Sequence, residues 1–124
     1  MFAGEYVSAS FRDVCSVIDD AVGAALQQPG LSALEAPDRL RHVSATVASK
    51  YLKWPDPASP VRSLPAEIRI IHVQSGYPAK TELMVVTPPE VPRADVRRFL
   101  DILSAAVDRS LGRRQAAPTM TGLA

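Results

Sequence analysis

The sequence has a single cysteine, Cys15, among 124 residues. That excludes an internal disulfide framework and any zinc site built on several cysteines. Only two histidines are present, His42 and His72, and with Cys15 they have no metal-ligand spacing, so no metal and no cofactor are expected. The six glycines are scattered. Neither GxGxxG nor GxxxxGK[ST] occurs, so no phosphate-cradling loop is legible. GxSxG and HExxH are missing too. No apolar run is long enough for a membrane-spanning helix, and Met1-Phe2-Ala3-Gly4-Glu5 does not read as the start of a secretory signal. The expectation is a cytoplasmic protein without membrane contact. Excess charge of one sign is also lacking: the formal net charge is +1, which gives no global attraction to nucleic acid or anionic lipid.

What is present is apolar. Hydrophobic residues make up 47% of the chain and charged residues 22%, enough to build a buried core and too few charges for an unfolded chain. The length suits one domain, expected over residues 1–112, with 113–124 as a flexible C-terminal tail.

Hydrophobic periodicity gives a helix from Phe11 to about Gln28, with Phe11, Val14, Cys15, Ile18, Ala21, Val22, Ala25 and Leu26 on one stripe. Ser10 and Asp13 have the spacing of a capping box, and Pro29-Gly30 ends the element. A second helix is expected from about Pro37 to Lys53, because Leu40, Val43, Val47, Tyr51 and Trp54 fall in a narrow arc at helical spacing. The proline-rich stretch Trp54–Pro65 reads as an extended surface connection. Glu67–Val73 and Thr81–Val86 read as a β-hairpin around Gly76 and Pro78, and Glu5–Ala9 as a candidate third strand. A last helix is expected from about Pro92 to Leu111, with Val96, Phe99, Leu100, Leu103, Ala106, Val107 and Leu111 inward and Gly112 as its C-cap. The fold class is α+β in two layers: helix, helix, β-hairpin, helix, with a small antiparallel sheet.

In the hairpin, Leu83 and Val85 alternate with Met84 and Val86, so both faces of that strand are apolar. Two strands are too few to shelter both faces. A second copy of the chain is therefore expected to complete the sheet, with Ile70, Met84, Val86 and Phe99 as candidate interface residues and a homodimer as the assembly. The alternative is a monomer whose helices cover both faces.

Charge is segregated. Residues 37–53 carry Arg39, Arg41, Lys50 and Lys53 against Asp38 alone. On a helical wheel, Arg39, His42, Thr46, Ser49, Lys50 and Lys53 form one uninterrupted face that could contact phosphates and base edges. This supports a second reading, a winged-helix-like DNA-binding regulator with residues 67–86 as the wing. A solvated helix face explains the same residues, and the near-neutral total offers little counterion-release drive. Cys15 on an apolar stripe is expected to be an inert hydrophobe. A hairpin closing about Tyr77 would set His72 opposite Glu82, an acid–base pair or an ordinary cross-strand contact. Pro57-Ala58-Ser59-Pro60 has PxxP form, a common match of small weight. The leading functional reading is a non-catalytic interaction or assembly protein that self-associates through its sheet or last helix, with other protein partners open.

Overall fold

The computed structural model describes residues 1–74 and 79–122. The chain is mixed α+β. It folds as β1 (Phe2–Val7), α1 (Phe11–Ala25), β2 (Arg41–His42), β3 (Val47–Asp56), β4 (Ser59–Val73), β5 (Lys80–Val86) and α2 (Arg93–Gly122). The five strands form one sheet in the order β1-β5-β4-β3-β2, and every neighbouring pair is antiparallel.

The first helix forms for the reasons its sequence gives. Ser10 sits at the N-cap in extended backbone, and its hydroxyl accepts from the Asp13 N–H at 3.2 Å. Val14, Val17, Ile18, Ala21, Val22 and Ala25 are buried at helical spacing. Beyond the helix, Gly30 takes φ of +86°, a conformation a side chain rarely adopts. The Arg98 guanidinium donates to the Pro29 carbonyl at 3.0 Å and fills the space a Cβ on Gly30 would need.

The helix expected over 37–53 is replaced by β2 and most of β3. Alternation decides it: Ala48, Lys50, Leu52 and Trp54 are buried while Val47, Ser49, Tyr51 and Lys53 are not. Of the arc expected to form a buried stripe, Val43 is 60% exposed and Tyr51 38%. A lysine among the inward residues breaks the two-residue hydrophobic rhythm on paper. The helix–helix–hairpin–helix order is therefore corrected, among the described residues, to two helices and five strands.

The proline-rich stretch is also a hairpin rather than a loose connection. β3 runs on to Asp56, whose carboxylate accepts from the Ala58 N–H at 2.9 Å and shapes the turn. β4 returns from Ser59, pairing Trp54 with Leu64 and Lys53 with Pro65. Pro60 and Pro65 are tolerated because β5 pairs with β4 only from Glu67 onward, leaving that earlier edge free. The expected hairpin of β4 and β5 is present, and the N-terminal strand is β1, spanning Phe2–Val7. The reversal residues Gly76 and Pro78 lie outside the described residues.

Both helices lie on one face of the sheet. Val14, Ile18 and Val22 of α1 and Val96, Phe99, Leu100 and Leu103 of α2 share a single core with Ala48, Leu52, Ile68, Ile70, Leu83 and Val85. Trp54 meets Phe99 edge to face at 5.5 Å between ring centres. Leu31 and Leu34 close one end of this layer. The inward face expected for the last helix is buried except at Leu111, which is half-buried against the core. The helix passes through Gly112 instead of ending there, a position where glycine weakens a helix without stopping it.

Candidate functional site

Registers define what lies on the other face of the sheet. Tyr51, Glu67, Val86 and Phe2 form one row across β3, β4, β5 and β1. Ser49, Arg69, Met84 and Gly4 form the next, followed by Val47, Ile71, Glu82 and Tyr6. Among the described residues no helix packs over these rows. The face mixes half-buried aliphatics with exposed aromatics: Phe2 is 67% exposed and Tyr6 59%.

Charges on this face engage one another. Ser49 donates to Glu67 Oε2 at 2.8 Å, and Arg69 Nε pairs with the other carboxylate oxygen. Lys80 lies over the Tyr6 ring at 5.1 Å. Toward β2 the face dips into a polar cavity of about 400 Å³ lined by Asp38, Arg39, Arg41, Ser49, Tyr51 and Glu67. Where β5 ends, an apolar notch of about 320 Å³ lies between Tyr51, Pro65, Ala66, Val86 and Pro88. Thr87 also lines it, and its buried hydroxyl has no hydrogen-bond partner among the described residues.

The four candidate interface residues divide. Met84 and Val86 are half-buried on the open face, as the alternation of β5 requires. Ile70 and Phe99 are fully buried in the chain's own core. Their assignment to an interface is corrected: Ile70 faces the helices, and Phe99 is held against Trp54.

The six residues expected to read nucleic acid do not share a face, because they do not share a helix. Arg39 lies in the segment before β2 and lines the polar cavity. His42 of β2 stacks edge-on to Phe11 at 6.3 Å. Thr46 turns the chain into β3, and its carbonyl accepts from the His72 N–H at 2.8 Å. Ser49 is committed to Glu67. Lys53 is tied through its backbone to Glu35.

Lys50 points the opposite way, under the helices, and is 4% exposed. Its ammonium donates to Asp19 Oδ1 and to the Asp38 carbonyl, both at 2.6 Å. Asp19 Oδ1 also accepts from the Leu40 N–H at 3.1 Å. On the sequence Asp19 reads as a solubility charge on an exposed helix face. In the structure it fastens the 38–40 segment and β3 to α1. No local pattern in the sequence joins these positions, which lie 21 and 31 residues apart.

The His72–Glu82 pair is not formed. His72 pairs with Thr81 and Ile71 with Glu82. That register is one residue away from the expected one, and the slip sends the two side chains to opposite faces. His72 instead stacks on Phe11 at 6.2 Å. Cys15 is a half-buried free thiol whose pKa burial pushes up to about 11. It stays protonated near neutrality, so it is a poor nucleophile.

Among the described residues, no cluster of three or more His, Cys, Asp or Glu could hold a metal ion. No described helix is long and apolar enough to cross a membrane.

No protein-family model matches the chain. No curated protein matches it either. Among solved structures it is similar to TTHA0849 from Thermus thermophilus, at 12% identity, over 95% of this chain and 97% of that one, with a TM-score of 0.39. A likeness that distant carries no argument about activity.

Proposed function

We propose that this chain is a non-catalytic assembly protein that works as a homodimer, joined through the part of its sheet, open face or β1 edge, that its helices leave uncovered. One observation carries the reading. Five strands are stacked against helices on a single face, while the other face and the β1 edge present Phe2, Tyr6, Tyr51, Met84 and Val86 to solvent. Large aromatics grouped on one surface mark an interaction site more often than a catalytic one. The engaged state of Glu67, Arg69 and Ser49 fits this reading, since these three are bonded to one another rather than left free beside a base. A cytoplasmic setting belongs to the same reading, and a thiol held protonated at Cys15 suits it.

The test is the mass in solution. Light scattering across the micromolar range should give twice the 13.3 kDa of the chain, with dissociation on dilution. A mass of one chain at every concentration overturns the proposal.

A further inference from the structure

The sheet has two ends, and they are built differently. At the β2 end the last strand is two residues long. Past it, among the described residues, β3 is met only by the isolated bridge between Glu35 and Lys53. The free stretch of β4 carries Pro60 and Pro65. Short strands and prolines are what keep sheet edges from pairing with other chains. The β1 end has neither device. It is six residues long, Phe-Ala-Gly-Glu-Tyr-Val, with no proline or lysine. Its one charge, Glu5, is turned to the helix side, where Arg97 pairs with it at 3.4 Å.

The hydrogen-bond phase of this edge can be read. Met1 and Thr87 exchange both backbone bonds, Thr87 N–H to the Met1 carbonyl at 2.8 Å and the Met1 ammonium to the Thr87 carbonyl at 2.7 Å. In an antiparallel ladder, bonded pairs alternate with unbonded ones. Ala3, Glu5 and Val7 therefore direct their backbone groups inward to β5, while Phe2, Gly4 and Tyr6 direct theirs out from the sheet. These three also place their side-chain positions on the open face.

We infer that β1 pairs antiparallel with β1 of a second copy about a two-fold axis at Gly4, joining the two sheets into one. The inference rests on the self-association proposed above and names the surface that performs it. With the axis at Gly4, Gly4 bonds to Gly4 of the partner subunit, and Phe2 of each chain bonds to Tyr6 of the partner subunit. All three outward residues are satisfied in one register, which no other register achieves. Each exposed Phe2 ring then lies beside a Tyr6 ring across the seam, an aromatic cross-strand pair occurring twice by symmetry. Glu5 faces Ala3 of the partner subunit and not its own copy, so no like charges meet. The absence of a side chain at Gly4 has its own cause: a Cβ there would come within 2.9 Å of Met84 Cγ. Met84 thus lies over the centre of the seam.

Hydrogen exchange on the unmodified protein, read by NMR at low and high concentration, tests the pairing. The amides of Gly4 and Tyr6 should gain protection as the dimer forms, while that of Tyr51 does not. Tyr6→Pro removes one outward donor without touching a bond to β5, and should give a folded monomer. Tyr6→Ala should weaken the dimer roughly ten- to a hundred-fold through the loss of both aromatic pairs. A dimer in which the Gly4 and Tyr6 amides exchange freely at all concentrations overturns the inference while leaving self-association standing. A protein that is monomeric throughout overturns both. Should Tyr6→Pro fail to fold, the exchange measurement on the unmodified protein still decides.

Discussion

The two faces of the sheet are made from the same strands and obey different rules. On the helix side, Leu83, Val85, Ile68 and Ile70 are fully buried, in one core shared with the inward residues of α1 and α2. One residue further along the same strands, Met84, Val86 and Arg69 lie on the face that no described helix covers. The first set fixes the fold, and the second is free to serve something else. Truncation should separate them sharply. Leu83→Ala should cost about 2–5 kcal/mol and Phe99→Ala about 3–5, because each leaves a cavity that close packing cannot refill. Met84→Ala should change the stability of the isolated chain by less than about 1 kcal/mol. Urea unfolding at a concentration that keeps the chain monomeric measures all three. Equal losses on both faces would mean that the open face is part of the core.

Lys50 is the exception on the covered side, and it offers a finer test. Its ammonium is buried, whereas its partner Asp19 keeps 42% of its side chain in solvent. The two deletions are therefore not equivalent. Asp19→Ala strands a buried cation with only the Asp38 carbonyl beside it, and also frees the Leu40 N–H. Lys50→Met removes the cation and returns Asp19 to water. Asp19→Ala should cost about 2–3 kcal/mol and Lys50→Met about 1. The reverse order, by chemical denaturation, would show that the lysine's own packing outweighs its charge.

The same lysine explains where the sequence misleads. α1, the Glu67–Val73 half of β4, β5 and α2 are legible because their inward residues are apolar at one clear period, and Ser10 and Pro29-Gly30 mark the ends of the first helix. β3 is not legible. Its inward set runs Ala48, Lys50, Leu52, Trp54, so a charge interrupts the alternation, and the partner that makes burial tolerable sits on another element. Pro55, Pro57, Pro60 and Pro65 argue against strands; Pro57 lies in the turn after β3, and the absence of β5 beside the first half of β4 admits Pro60 and Pro65. The open face is legible in outline from the double-sided apolar pattern of Leu83–Val86. Which of its residues face out depends on register. One residue of register between β4 and β5 is enough to take Glu82 away from His72 and leave it in the row of Tyr6.

Cys15 marks the margin where the covered side gives way to solvent, and its chemistry measures how well the helix layer excludes water there. Burial raises the thiol from its ordinary value of 9.0 to about 11, because a thiolate is poorly solvated beside Phe11 and the α1 stripe. The folded chain then holds a proton that the unfolded chain releases first. The stability linked to Cys15 is thus fully present below the unfolded pKa and is lost as pH rises from about 9 through about 11. Cys15→Ala should remove that alkaline decline and leave the acid side of the profile unchanged. Alkylation gives the same information kinetically: the rate with iodoacetamide should rise about tenfold per pH unit and level off only near pH 11, whereas the urea-unfolded chain levels off near 9. A folded chain that levels off at the unfolded position would place Cys15 in water, and the covered side would stop short of it.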